Sequence, residues 1–423
     1  MNVIDLLMIL TFVIGYTLIT LEHLVKINKS SIALMMAIIC WSLEFTSLQF
    51  SHSEHLSALS EHLAGVSQVV FFLFGALVIV EIINAHRGFK LISNYIRVRS
   101  KVKLLWSLGF LTFFLSAILD NLTTTIVMVT LLSKLVKKGE DRLLLGGAIV
   151  IAANAGGAWT PIGDVTTTML WIGGQLSSYS ILTQLFLPSL ACLVLAFSVL
   201  SLGLKGSFEE SESLAPAKEE PFSRLIFWSG LLCLIFVPIF KAITGLPPFM
   251  GIILGMALLW LITDIVHRDN DERSHLRVPH IITKIDVSSV LFFLGILLCI
   301  DALHTAGILD TVAKKMDEWL GNASLIAVII GLASAVVDNV PLVAASMGMY
   351  SLSVYPQDAN FWNLIAFCAG TGGSILVIGS AAGVAFMGLE KVDFFWYFRR
   401  VGIPALVGYF GGIGIYLLQT LIH

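Results

Sequence analysis

Charged residues are scarce in this chain, and many stretches contain none. Asp, Glu, Lys and Arg make up 13% of the 423 residues, whereas a soluble domain has about 25%. Hydrophobic residues make up 57%, and the mean hydropathy is +0.91. This composition excludes an ordinary soluble domain and predicts an integral membrane protein. The many apolar runs of about 20 residues favour spanning helices over a β-barrel.

The chain is also poor in the residues that build disulfides, metal centres and enzyme active sites. Its five cysteines all lie inside apolar runs, which is typical of small core residues. The apolar segments hold no nucleophile–base pair and no His/Cys cluster with metal-ligand spacing. We therefore expect no enzyme activity and no cofactor. We expect the protein to contact membrane lipid and not nucleic acid.

Four of the twelve apolar runs are too long for one simple span of about 20 residues. Each has Gly, Pro or polar residues near its middle, which indicates a hairpin that enters and returns or a helix broken at membrane depth. We predict re-entrant hairpins over 104–134 and 322–352, and broken helices over 143–175 and 361–389. The predicted fold is an all-α polytopic membrane protein with about ten spans.

The positions of Lys and Arg predict the orientation. If both hairpins return to the side from which they enter, 22 of the 25 basic residues face one side of the membrane. The positive-inside rule then places both termini outside. The charged segment 205–221, which contains FEESESLAPAKEE, is predicted to be a cytoplasmic linker.

The two halves of the chain repeat three blocks in the same order. The matching blocks are SAILDN (116–121) with SAVVDN (334–339), AGGAWTPIGD (155–164) with TGGSILVIGS (371–380), and FLFGALVIVE (72–81) with FFLGILLCID (292–301). Five crossings in each half would invert the second half relative to the first. We predict inverted repeats over 1–204 and 222–423, an arrangement typical of secondary transporters.

Carboxylates and amides stand at the predicted hairpin tips, as Asp120-Asn121 and Asp338-Asn339. An ionised group at membrane depth costs roughly 2.5–3.5 kcal/mol on insertion scales, so such residues suggest function. Carboxylate, amide and hydroxyl oxygens suit a small hard cation. Each aspartate could also be a helix N-cap. The two roles are compatible, because a cap leaves one carboxylate oxygen free.

The segment 153–168, ANAGGAWTPIGDVTTT, predicts an unwound helix because of its glycines and Pro161. Oxygen-bearing side chains surround this break: Asn154, Thr160, Asp164, Thr166 and Thr167. Tight helix packing would explain the glycines, but it would not explain Asp164.

The second break has no carboxylate, because Ser380 stands where Asp164 would be. Thr371 and Ser374 are its other polar residues. We therefore predict an asymmetric site with Asp120, Asp164 and Asp338 as its titrating residues. A buried carboxylate favours its protonated form and a bound cation favours the ionised form, so cation and protons would compete for this site. The absence of Lys and Arg from these core segments argues against an anionic substrate.

Four further polar residues stand at the ends of two repeat-related runs: Glu81, His86, Asp301 and His304. Because histidine titrates near neutral pH, they could sense pH. Alternatively, these side chains lie at the membrane surface and reach water. The segment 51–62, rich in His and Glu, is predicted to be a solvated external loop, with a metal site as the alternative.

Five segments resemble the NhaD-type sodium/proton antiporters of the ion transporter superfamily, and the resemblance covers nearly the whole chain. The segments are LEHLVKINKSSIAL (21–34), FFLFGALVIVEIINAHRGF (71–89), SAILDNLTTTIVM (116–128), ANAGGAWTPIGDVTT (153–167) and SAVVDNVPLVAASMGMY (334–350). Organic-anion carriers of that superfamily have Ser-Asn-Thr at the tips instead of Asp-Asn.

The resemblance implies a bacterial inner-membrane exchanger of Na⁺ or Li⁺ for H⁺. In an inner membrane, the termini that the positive-inside rule places outside would be periplasmic. The resemblance also implies a homodimer, in which a moving domain carries both hairpins against a scaffold domain. Na⁺ would be held by Asp120, Asp164 and Asp338. By resemblance, the ion pathway comprises Asp120, Asn121, Thr123, Asn154, Asp164, Thr166, Thr167, Ser334, Asp338, Asn339 and Ser374.

Two other functions stay open. One is a sodium-coupled carrier of an anion such as a dicarboxylate, citrate or arsenite. The other is a membrane scaffold or enzyme that transports nothing.

Overall fold

The computed structural model describes residues 2–47, 51–93, 100–208, 220–268 and 271–422. Within these ranges the chain is helical throughout, with no strand longer than the isolated bridge between Ser100 and Ser207. The all-α prediction is therefore confirmed. Most of the predicted linker, residues 209–219, lies outside the described ranges.

Ten helices precede the linker in the described part of the chain. They are α1 Val3–Thr20, α2 Glu22–Val25, α3 Lys29–Phe45, α4 His52–Ala85, α5 Lys90–Ser93, α6 Lys101–Ser116, α7 Asn121–Leu135, α8 Glu140–Gly157, α9 Val165–Ile172 and α10 Ser178–Gly203.

Eleven α-helices follow the linker among the described residues, together with one 3₁₀ and one π segment. They are α11 Ser223–Thr244, α12 Pro248–His267, the 3₁₀ segment Asp271–Leu276, α13 Val278–Ile282, α14 Val287–Thr305, α15 Ile308–Leu320, α16 Ala323–Ala333, α17 Asn339–Met349, α18 Asn360–Gly372, α19 Ala381–Glu390, α20 Phe394–Tyr397, the π segment Phe398–Gly402 and α21 Ile403–Ile422.

Seven helical stretches of the described chain are long and apolar enough to cross a membrane. An eighth is added if α15 and α16, which meet at 114°, count as one broken span. The protein is therefore a multi-pass membrane protein. The predicted number of ten spans, with two hairpins that return to their own side, stays a prediction.

Each of the four long apolar runs is divided into two helices near the predicted place. The runs 104–134 and 322–352 become α6–α7 and α16–α17, and the runs 143–175 and 361–389 become α8–α9 and α18–α19. The second helix of each pair starts at a side-chain N-cap: Asp120, Asp338, Asp164 or Ser380. The helices restart at these positions because each side chain accepts a hydrogen bond from an otherwise unpaired backbone N–H.

The helices group into two bodies. In the first, α1 and α3 pack with α14, while α11 and α12 pack with α4. In the second, α6 packs on α8, α16 packs on α18, and α10 packs along α21. The second body holds all four helix breaks, and the first presents α4 and α14 to it.

Equivalent contacts recur in the two halves of the second body. The Ser116 hydroxyl donates to the carbonyl of Ala153 over 2.7 Å, and the Ser334 hydroxyl donates to the carbonyl of Ala369 over 2.8 Å. Glycine lets the helices approach at matching places, since a Cβ on Gly372 would lie 2.0 Å from the Gly331 carbonyl oxygen.

The prediction that segment 51–62 forms an external loop is wrong. These residues form the beginning of the 34-residue helix α4. Ser51 and Glu54 form a capping box there, and His55 Nδ1 lies 3.8 Å from Glu44 Oε1 with both side chains buried. Because Glu44 gives His55 a buried partner and the box satisfies the helix end, this polar segment can be helical.

We expect Gly372→Ala to lower the free energy of unfolding by about 1–3 kcal/mol, because overpacking a tight contact displaces its neighbours. Gly65→Ala in α4 is the matched control, since a Cβ there meets nothing within 4 Å. Thermal unfolding of both variants in detergent measures the difference. Equal midpoints for Gly372→Ala and Gly65→Ala would contradict the close approach of α18 to α16.

Candidate functional site

A cavity of about 80 Å³ lies between the two bodies, at the hairpin turns and the α8–α9 break. Asp120, Asp164 and Asp338 all line it, together with Asn121 and Asn339. The helices α4 and α14 supply its mainly apolar opposite wall. The structure thus brings the three predicted aspartates to one enclosed space.

Asp164 joins both hairpins to the first break. Its side chain is 1% exposed. Its Oδ2 accepts hydrogen bonds from Asn121 Nδ2 over 3.2 Å and from Asn339 Nδ2 over 3.4 Å. Its Oδ1 accepts one from the Thr166 backbone N–H over 3.1 Å. One carboxylate therefore holds the two hairpin amides together.

Asn154 joins the first hairpin to the second break. Its Oδ1 accepts a hydrogen bond from Asn121 Nδ2 over 3.0 Å. Its Nδ2 donates to the hydroxyls of Ser374 and Ser380 over 2.9 Å each. Since Asn154 is fully buried, these bonds satisfy an amide that has no access to water.

The two hairpin aspartates are half-buried caps with different surroundings. Asp120 accepts hydrogen bonds from the Thr123 N–H over 2.8 Å and from the Thr123 hydroxyl over 2.6 Å. Asp338 accepts a long bond of 3.5 Å from the Val340 N–H. Its Oδ2 also lies 3.9 Å from Lys29 Nζ. A carboxylate oxygen has two lone pairs, so each cap retains capacity for a further partner.

The remaining predicted pathway residues support the site's frame. The Thr167 hydroxyl donates to the Asp164 carbonyl over 2.9 Å, and Ser334 holds the α18 backbone as described above. The buried Thr166 hydroxyl has no hydrogen-bond partner among the described residues. In the same part of the chain no three His, Cys, Asp or Glu side chains converge closely enough to hold one metal ion. The three aspartates line one cavity without enclosing a single point.

The four residues predicted to sense pH lie away from this cavity, at two different places. His86 Nε2 lies 2.9 Å from His267 Nε2 at the ends of α4 and α12, and Glu81 accepts from Asn84 over 3.2 Å nearby. Asp301 and His304 line a second cavity of about 370 Å³. It lies between the N-terminal half of α4 and the C-terminal end of α14.

Sequence reasoning missed two partners of these four residues. His62, whose Nδ1 lies 3.3 Å from Asp301 Oδ1, was assigned to a loop. His267 ends an apolar run that offered no signal beyond its single histidine.

Lys29 is the cavity residue that sequence reasoning placed elsewhere. In the sequence it follows the first apolar run. The structure puts its side chain in the cavity wall, with Nζ 4.5 Å from the centre of the Phe292 ring. The core segments themselves contain no Lys or Arg, and Lys29 reaches the cavity from the beginning of α3. The packing of α3 on α14 brings Lys29 there.

Comparison with known proteins decides the family. The family model described as "Citrate transporter" matches residues 6–367. "Sodium/proton antiporter 2" of Arabidopsis thaliana is 52% identical over 97% of this chain and 98% of its own length. "Na(+)/H(+) antiporter NhaD" of Vibrio cholerae is 31% identical over 97% of this chain and 91% of its own. The chain belongs to the NhaD-type antiporter family. This is a family of transporters and not of enzymes.

A solved structure shows the same fold at low identity. The YdaH transporter of Alcanivorax borkumensis superimposes with a TM-score of 0.59 over 93% of this chain and 97% of that one, at 11% sequence identity. The shared architecture supports the division of this chain into helices and breaks, and it indicates the fold alone.

We expect Asn154→Ala to lower the free energy of unfolding by about 1–3 kcal/mol, because it removes one of the two acceptors of the buried Asn121 amide and the donor to the hydroxyls of Ser374 and Ser380. The matched control is Asn84→Ala, which removes an exposed amide bonded to Glu81. Thermal unfolding in detergent compares the two. If Asn154→Ala unfolded no earlier than Asn84→Ala, the amide would not join the two breaks.

Proposed function

We propose that this protein exchanges Na⁺ or Li⁺ for H⁺ across a membrane by alternating access. The cation binds at Asp120, Asp164 and Asp338, and the emptied site takes up protons. The observation that carries the proposal is the cavity in which Asp164 links both hairpin amides beside the other two aspartates. The antiporter names of the relatives support the same ions.

The charge of the cavity explains why the two substrates would share it. Three carboxylates lie in a small, mainly apolar space, where ionised groups of like sign repel strongly. A bound cation or bound protons would relieve this repulsion. Because either substrate neutralises the same oxygens, the two displace each other. The proposal needs no cofactor, since the transported ions are its only ligands.

The movement is proposed from the two bodies of the fold. The paired contacts of Ser116 and Ser334 support inverted repeats over 1–204 and 222–423, joined by the linker 205–221. We propose that the body with both hairpins moves against α4 and α14. The three aspartates do not yet surround one point, and a shift of the hairpin turns would close them on the ion.

The setting is also part of the proposal. The NhaD relative from Vibrio cholerae supports a bacterial inner membrane, whereas the Arabidopsis relatives come from a plant. The distribution of Lys and Arg supports periplasmic termini. A homodimer is proposed on the family resemblance alone.

We expect each of three substitutions to reduce Na⁺-driven proton movement about tenfold or more: Asp120→Asn, Asp164→Asn and Asp338→Asn. A tenfold weaker affinity for the cation corresponds to a loss of about 1.4 kcal/mol of binding free energy. Asparagine caps helices as well as aspartate does, so the helices should persist. Fluorescence dequenching in everted vesicles gives the measurement. Asp393→Asn is the matched control, because Asp393 is an exposed N-cap outside the cavity. Full exchange by the Asp120 and Asp338 variants would refute the assignment.

A sodium-coupled anion carrier is the second candidate. The description of the family model and the Lys29 ammonium in the cavity wall favour it.

Thermal unfolding separates the two functions, since a ligand at 100 times its Kd adds about 2.7 kcal/mol of stability. We expect Na⁺ or Li⁺ alone to raise the midpoint, with K⁺ as the control for ionic strength. Stabilisation by citrate with Na⁺, but not by Na⁺ alone, would favour the anion carrier.

A further inference from the structure

We propose that Lys29 is the counter-ion of Asp338 in the cation-free cavity, and that Na⁺ must displace its ammonium in order to bind. Lys29 thereby holds the α16–α17 hairpin against the first body until a cation arrives. This inference rests on the proposed function, because it names a residue that regulates cation binding at the same site.

The backbone of Lys29 is fixed to the first body. Its N–H donates to Glu22 Oε1 over 3.1 Å. The preceding residue, Asn28, caps α3 by accepting a hydrogen bond from the Ser30 N–H over 2.8 Å. The Ser30 hydroxyl then donates to the Ser288 carbonyl at the start of α14 over 2.6 Å. The first turn of α3 is therefore joined to α14, and the lysine side chain starts from a defined place.

The side chain of Lys29 crosses from this body to the hairpin. Its Nζ lies over the Phe292 ring of α14 and 3.9 Å from Asp338 Oδ2, which belongs to the N-cap of α17. The exposed fractions of the two side chains are 27% and 20%. An ammonium over an aromatic face and beside a carboxylate is stabilised by both. The pair thus connects the two bodies that alternating access would separate.

The other hairpin has no equivalent restraint among the described residues. At the offset of 220 that aligns 72–81 with 292–301, Phe249 stands opposite Lys29. Among the residues that the structure describes, Asp120 has no ion-pair partner and accepts its side-chain bond from Thr123. Lys29 is therefore an asymmetric feature added to one of the two tips.

Bound Na⁺ and the Lys29–Asp338 contact exclude each other. Both cations would lie at the same carboxylate, and two positive charges so close together repel each other strongly in a cavity of about 80 Å³ with a mainly apolar lining. Na⁺ binding would release the lysine, and departure of Na⁺ would restore the contact. A site emptied of cation is then held in place instead of crossing without cargo. Lys29 acts through Asp338 and is a positioning residue for the exchange.

The test compares Lys29→Met with Lys29→Arg and Lys26→Met in proteoliposomes of the full chain. Lys26 is an exposed lysine three residues earlier and gives the matched control. For Lys29→Met we expect the half-saturating Na⁺ concentration to fall about tenfold, with fewer protons moved for each ²²Na⁺. Lys29→Arg should keep both values close to those of the unmutated protein, because it keeps the charge. Lys26→Met should change neither.

A merely structural role would weaken Na⁺ binding or leave it unchanged. The inference is wrong if Lys29→Met shows an equal or higher half-saturating Na⁺ concentration and an unchanged coupling ratio. If Lys29→Met fails to fold, Lys29→Gln gives the same comparison with an uncharged polar head. Failure of the proposed function looks different, because the unmutated protein would then move no protons with Na⁺ at all. Loss of citrate binding in Lys29→Met would assign the lysine to an anion instead.

Discussion

Helices that begin inside the protein leave backbone N–H groups that lipid cannot satisfy, and this constraint shapes the whole site. Asp120, Asp164, Asp338 and Ser380 each accept a hydrogen bond at such a beginning. Three of the four are carboxylates, so capping itself brings negative charge to the centre of the fold. The residues that make the breaks possible are thus the residues that a cation would seek.

The break with serine and the break with aspartate differ in what they can hold. Asp164 carries charge and binds both hairpin amides, whereas Ser380 accepts from Asn154 and caps α19. Asn154 connects the two breaks through neutral bonds that survive any change of charge. The neutral half can therefore act as a frame, while the proposed binding and release of ions would change the interactions of the other half. The difference between Asp164 and Ser380 thus confines the charge to the first break, while neutral hydrogen bonds hold the second break in place.

The local chemistry of the site could be predicted from the sequence, and its long-range pairing could not. Glycine, Pro161 and isolated aspartates inside apolar runs indicated the breaks, because those residues act on their own backbone. Lys29 and His267 reach their partners through the packing of helices far apart in the chain, which no local pattern encodes. The segment at His55 was misjudged because its buried partner, Glu44, belongs to another helix.

The position of Lys29 suggests how binding of a cation could drive the movement of one body against the other. A ligand shifts a conformational equilibrium only by the difference in its affinity for the two states. A charge fixed to one body would supply such a difference, since it would oppose Na⁺ at Asp338 while the hairpin lies beside it and would stop opposing Na⁺ once the hairpin has moved. If the lysine belonged to the hairpin instead, it would move together with Asp338. It would then oppose Na⁺ equally in both positions of the hairpin and favour neither. Because Lys29 is joined to α14 through Ser30 and Ser288, one ammonium can couple cation binding to the displacement of the two bodies.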